Sequence, residues 1–132
     1  MANKAKGKRE KSPLAVIRKA VEAAKKAGYT IVCGTWGVEW DTETRRWVST
    51  DNYCCPLGAV LLVRQPRSVW YNSPTATVAR CLEVSPYWVM GFYQAIDREP
   101  LNYLGYEEKS GYRAGLAFRK KWGRKMRSAS SL

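Results

Sequence analysis

Most of the net positive charge of this 132-residue chain stands at its two ends, and that segregation limits what the middle can become. Lys4, Lys6, Lys8, Arg9 and Lys11 against Glu10 give residues 1–11 a net charge of +4. Eight Lys and Arg against two Glu give residues 107–132 a net charge of +6. The stretch 12–106 holds ten basic and eight acidic residues and is only +2. A near-neutral body can collapse on itself, whereas a run of like charges repels and stays solvated. With 45% hydrophobic residues, 12% aromatic residues and six Trp, the chain carries enough apolar surface for a packed core. At roughly 100–200 residues per domain it holds one such core. The expected organisation is a basic arm over 1–11, a single domain over 12–127 ending in a basic helix, and a tail over 128–132.

Absent residue types narrow the function classes. The chain has no His, which removes the commonest general base and metal ligand and every Ser-His or Cys-His pair. No Gly-rich phosphate loop occurs, and the acidic residues form no evident catalytic pair. Cys33, Cys54, Cys55 and Cys81 lack the C-x-x-C spacing of zinc sites and read as reduced thiols of a cytoplasmic protein. No secretory apolar segment precedes residue 30, and the longest apolar run, Leu57 to Val63, is far below the ~20 residues of a membrane span. These features predict a non-enzymatic protein with no cofactor, no metal, no membrane association and no small-molecule substrate.

Along the chain, Ser12-Pro13 opens a helix in which Leu14, Ile17, Val21 and Ala24 recur at helical spacing until Gly28. From Tyr29 the composition turns β-rich. A hairpin with its loop over Thr42 to Arg45 pairs Trp40 with Trp47 and Asp41 with Arg46, placing Trp36, Val38 and Trp40 on one face as core or as a stacking platform. Pro56 starts a central helix apolar all round, and Arg64 to Pro74 is a loop exposing Arg67, Trp70 and Tyr71. Leu101 to Tyr106 is an aromatic loop. Glu108 to Met126 is the last helix, with a buried stripe at Tyr112 and Leu116, and Gly111 and Gly115 admit a neighbouring helix closely. The fold class is α+β: a short antiparallel hairpin packed on about five helices, with basic extensions at both termini.

Thr75 to Gln94 resembles a helix-turn-helix over about 20 residues. Val78, Ala79, Leu82, Val84, Ser85, Val89 and Phe92 fall at its core positions, with a departure at Glu83, where that motif usually has Gly. The second helix is expected to present Ser85, Tyr87, Trp88, Met90, Gly91 and Gln94 outward. Of these only Gln94 has the usual chemistry for reading a base edge. The run Cys-Cys-Pro-Leu-Gly-Ala-Val-Leu-Leu from Cys54, this helix pair, and Gly-Tyr-Arg-Ala-Gly-Leu-Ala from Gly111 are together similar to small bacterial and phage proteins with no assigned chemistry. That resemblance spans about residues 30–120. It implies a shared fold and a phage or mobile-element setting, and it transfers no catalytic residue.

The charge pattern points to a polyanionic partner. Phosphate contacts are expected from Lys4, Lys6, Lys8, Arg9, Lys11, Arg119, Lys120, Lys121, Arg124, Lys125 and Arg127. Trp70, Tyr71, Tyr87, Trp88 and Gln94 are candidates for stacking or for anchoring an interface. The predicted partner is nucleic acid or a nucleoprotein assembly, bound largely without sequence specificity. The competing class is a protein-interaction module that inhibits a host nucleoprotein machine or joins a particle.

Overall fold

A repeated local device starts the helices. In the computed structural model, which describes residues 12–101 and 105–129, α1 spans Pro13–Lys26, α2 Pro56–Arg64, α3 Pro74–Leu82, α4 Pro86–Ile96 and α5 Tyr106–Trp122. Each of the first four has Pro at its first helical position, where the missing N–H removes no intrahelical bond. The residue before that Pro caps it. Ser12, Ser73 and Ser85 accept through Oγ from the N–H groups of Ala15, Ala76 and Tyr87, at 3.1, 3.1 and 3.0 Å. Before α2 the same position is taken by Cys55, whose Sγ accepts from the Gly58 N–H at 3.2 Å. A thiol suits that site because Cys55 is fully buried, where a small apolar cap costs less than a hydroxyl.

The strands are β1 (Thr30–Cys33), β2 (Val38–Asp41), β3 (Arg46–Ser49), β4 (Tyr53–Cys54) and β5 (Arg127–Ser128). β2 and β3 form the antiparallel hairpin in the expected register, Trp40 opposite Trp47 and Asp41 opposite Arg46. The two indoles meet edge to face with centroids 5.5 Å apart. Trp47 is enclosed, and its indole N–H donates to the Pro66 carbonyl at 2.9 Å. On the outer side of β3 the Gln65 amide substitutes for a strand. Its Oε1 accepts the Trp47 N–H and its Nε2 donates to the Trp47 carbonyl, both at 2.8 Å. Trp36 lies in the loop before β2 and stacks on Tyr93 of α4 with centroids 5.5 Å apart. A second sheet, parallel and of order β4-β1-β5, completes the α+β architecture.

The core forms where α1 and the strands close over α2, whose residues Pro56 to Leu61 are buried on every side. α4 and α5 make the most extensive helix contact, and glycines set its closeness. A Cβ on Gly91 would stand 2.1 Å from the Glu108 carbonyl oxygen, and one on Gly111 would stand 1.9 Å from that of Trp88. The expected close approach through Gly111 and Gly115 is therefore present, with Gly91 as its counterpart on α4.

Two expectations for α5 are corrected. Its buried stripe is Glu108, Gly111, Gly115, Phe118 and Trp122; Leu116 is exposed and Tyr112 half-buried, its hydroxyl donating to the Glu99 carbonyl at 3.0 Å. Small residues win the contact because they let the backbones meet, which moves the seam one position away from the larger side chains. The helix also stops at Trp122 instead of running to Met126. The chain turns through Gly123 to Lys125 and returns as β5, so Ser128, expected in a tail, pairs with Cys33.

Candidate nucleic-acid interface

The C-terminal cations do not project on a helical extension. The turn after Trp122 folds them against the end of α1. Trp122 is 6% exposed, stacked on Phe118 with the ring planes 7° apart. Lys25 Nζ lies 5.5 Å from its ring centroid and Lys125 Nζ 5.0 Å from it. One indole thus gathers cations from opposite ends of the sequence, each held by the negative face of the ring while its remaining N–H groups stay toward solvent. Lys26, Lys121 and Arg124 are exposed next to these residues in sequence, and Arg127 is exposed on β5. Lys120, Lys121, Arg124, Lys125 and Arg127 are therefore accessible, as the sequence predicts.

Arg119 is placed differently: its Nη1 donates at 3.1 Å to the Ala95 carbonyl in the last turn of α4, an acceptor that also takes the Arg98 N–H at 3.1 Å. Lys25 was missed. Its signal was the Lys25-Lys26 pair closing α1, which in isolation reads as an ordinary dipole complement. Lys4, Lys6, Lys8, Arg9 and Lys11 lie outside the described residues.

The helix pair has the expected outline. Val78, Ala79, Leu82, Val89 and Phe92 are buried, and Glu83 adopts the left-handed conformation (φ 59°) that Gly usually supplies. Its second helix is not free to enter a groove. Trp88 is 8% exposed and stacks on Phe92, and Gly91 is closed off by α5, so the expected outward display of both is corrected. Ser85 is spent on the N-cap, Gln94 is half-buried, and Tyr87 and Met90 remain exposed. Trp70 and Tyr71 are exposed as expected, on the loop between α2 and α3.

A third cluster joins β1 to α4. Asp97 Oδ1 accepts from the Gly34 N–H at 2.8 Å. Burial raises the Asp97 carboxyl above its usual range, opposed by that hydrogen bond. Burial likewise raises the Tyr93 phenol, to which the neighbouring Cys55 and Asp97 add. The Cys54 thiol is pushed up to about 12, and that of Cys55 is raised as well, both by burial. All four cysteines are free thiols. Burial biases Cys54, Cys55, Tyr93 and Asp97 toward their neutral forms, and the Asp97–Gly34 bond fastens the loop after β1. Among the described residues no group of three Cys, Asp or Glu is disposed to hold a metal ion, and no helix is long and apolar enough to cross a membrane. Comparison with protein-family models, with curated proteins and with solved structures finds no match to this chain.

Proposed function

We propose that this protein binds nucleic acid through its phosphates, largely without sequence specificity and without catalysing a reaction on it. The observation that carries the proposal is the convergence of Lys25 and Lys125 on the Trp122 ring, with Lys26, Lys121 and Arg124 beside them in sequence. A packed indole fixes the cations in place before a partner arrives, which lowers the ordering cost of binding. Phosphate contacts position a protein on nucleic acid and carry no sequence information themselves. The occlusion of Trp88 and Gly91 supports the same conclusion, because the helix that would enter the major groove has little free surface. The proposed setting, expected from the sequence alone, is the cytoplasm of a bacterial host cell.

The test is duplex affinity measured across a salt series. A log-log slope of about −0.9 per phosphate neutralised is expected. The double variant Lys25→Glu with Lys125→Glu should make the slope shallower by about two such contacts and weaken binding to all sequences alike. A slope near zero in the native chain, or one untouched by the double variant, would overturn the proposal.

A second reading is favoured by one patch. Tyr87 and Met90, one turn apart on α4, are exposed, and Tyr106 lines a shallow cleft with Tyr87. Aromatic residues and Met are enriched in protein interfaces, so this face suits a protein partner such as a subunit of a nucleoprotein assembly. Loss of a co-purifying protein on Tyr87→Ala, with duplex affinity unchanged, would favour it.

A further inference from the structure

Exposed aromatics on a strained backbone need an explanation that the core does not supply. Trp70, Tyr71 and Asn72 are three successive non-glycine residues with positive φ, at 48°, 53° and 65°. Such conformations are unfavourable for residues bearing a Cβ, and persist where surrounding structure enforces them. Here the Ser73 N–H donates to the carbonyls of Val69 and Trp70, both at 3.1 Å. Ser68 Oγ donates to Asn72 Oδ1 at 2.8 Å. The Val69 N–H donates to Thr77 Oγ1 at 3.1 Å, and that hydroxyl donates to the Ser73 carbonyl at 2.7 Å. The result is a left-handed turn anchored on α3 that holds Trp70 at 76% exposure and Tyr71 fully exposed.

Beside this turn lies an open cleft between it and the β2–β3 hairpin. Arg45 and Arg67 line it together with Trp40, and Ser68 and Asn72 of the turn itself form one wall. Arg45 is held by the hairpin turn at φ 58°. The carboxylate of Asp41 on that hairpin accepts from the Thr44 hydroxyl at 2.9 Å and the Glu43 N–H at 3.0 Å, bonds that hold its carboxyl below the usual range. Among the described residues neither guanidinium has a carboxylate partner. Two arginines at an open cleft, next to two rings presented to solvent, match a segment that carries both anionic and planar groups.

We propose that this cleft and turn bind single-stranded nucleic acid, Arg45 and Arg67 taking a phosphate while Trp70 and Tyr71 stack on unpaired bases. Arg matches phosphate geometry in bidentate fashion, and every base offers a face to an aromatic ring. A duplex cannot use the rings, because its bases are already stacked on each other. An acidic peptide would satisfy the arginines and leave the rings unoccupied. The inference rests on the nucleic-acid reading above but uses residues separate from the Trp122 turn, so different variants test the two.

The experiment measures binding of the whole chain to fluorescein-labelled oligothymidine, oligouridine and a mixed-sequence duplex. Trp70→Asn and Tyr71→Asn are the informative variants, since Asn accepts the left-handed backbone and removes the ring without unfolding the turn. Each should weaken single-strand affinity roughly tenfold and leave duplex affinity nearly unchanged, while Trp70→Phe should retain most of it. Arg45→Glu with Arg67→Glu should abolish any preference for single strands over duplex. Near-ultraviolet circular dichroism checks that each variant is folded. Single-strand affinity unaffected by folded variants of the cleft overturns the inference and leaves the phosphate-binding proposal standing. An acidic phosphopeptide that competes in wild type and loses its binding only in the arginine variant, with oligonucleotide affinity unaffected, also overturns it and assigns the cleft to peptide.

Discussion

Single residues carry several of the constraints that hold this molecule in shape. Gly111 sits where any Cβ would collide with backbone, 1.9 Å from the Trp88 carbonyl oxygen. Relief requires two helices to separate, since a main-chain atom cannot rotate away. Gly111→Ala is therefore expected to cost about 3 kcal/mol or more, at or beyond the upper end for overpacked cores, read as a fall in the urea midpoint. Ala at the exposed position Leu116, on the same helix, should cost far less. Asp97 gives a pH signature. Its carboxyl is raised by burial, so the folded form binds a proton more readily than the unfolded form, and its ionisation at neutral pH weakens the fold. Asp97→Asn, which keeps an acceptor for the Gly34 N–H, should raise stability at neutral pH. That advantage should shrink as the pH falls through the folded pKa of Asp97, and a constant difference across the titration would refute the assignment.

Helices and strands show how far local chemistry reaches. The Ser-Pro start of α1 was read from the sequence because an N-cap and a following Pro act over three residues, whereas the same pair opening α3 and α4 was passed over, Pro74 being assigned to a loop and Ser85 to a core position. Replacing Ser85 by Ala should cost about 1 kcal/mol, the usual value of such a cap, with α4 retained in far-ultraviolet circular dichroism. The end of α5 was not readable. Beyond Trp122 the basic sequence has good helix propensity, yet the Lys125 and Met126 N–H groups turn back to the Trp122 carbonyl and Arg127 pairs beside Val32. β1, already joined to β4 on one side, presents an open edge, and covering it outweighs a few more helical residues. The helix-turn-helix outline illustrates the same limit. Its spacing is present, but a third helix pressed on its second removes the surface such motifs use.

Across the molecule, charge and core are kept apart, and this determines how the protein should respond to truncation. Ser12, where the arm 1–11 joins, and Lys25 lie at opposite ends of α1, about 20 Å apart at 1.5 Å per residue. Deleting residues 1–11 is expected to leave the unfolding midpoint nearly unchanged, because the segment has no apolar periodicity to contribute to a core. It should make the salt dependence of duplex binding shallower, and retention of the full slope would assign all phosphate contacts to the body. The α+β class, the five helices, the Trp40–Trp47 register, the buried character of α2 and the glycine seam of α5 were legible in the sequence, because each is written in periodicity, caps or cross-strand pairing over a few residues. The burial of Trp88, the capture of Arg119 by the Ala95 carbonyl, the meeting of Lys25 with Lys125 and the cleft between Arg45 and Arg67 were decided by the tertiary structure. They join segments far apart in the chain, and which segments meet depends on how every apolar face is buried at once, a property that no local pattern encodes.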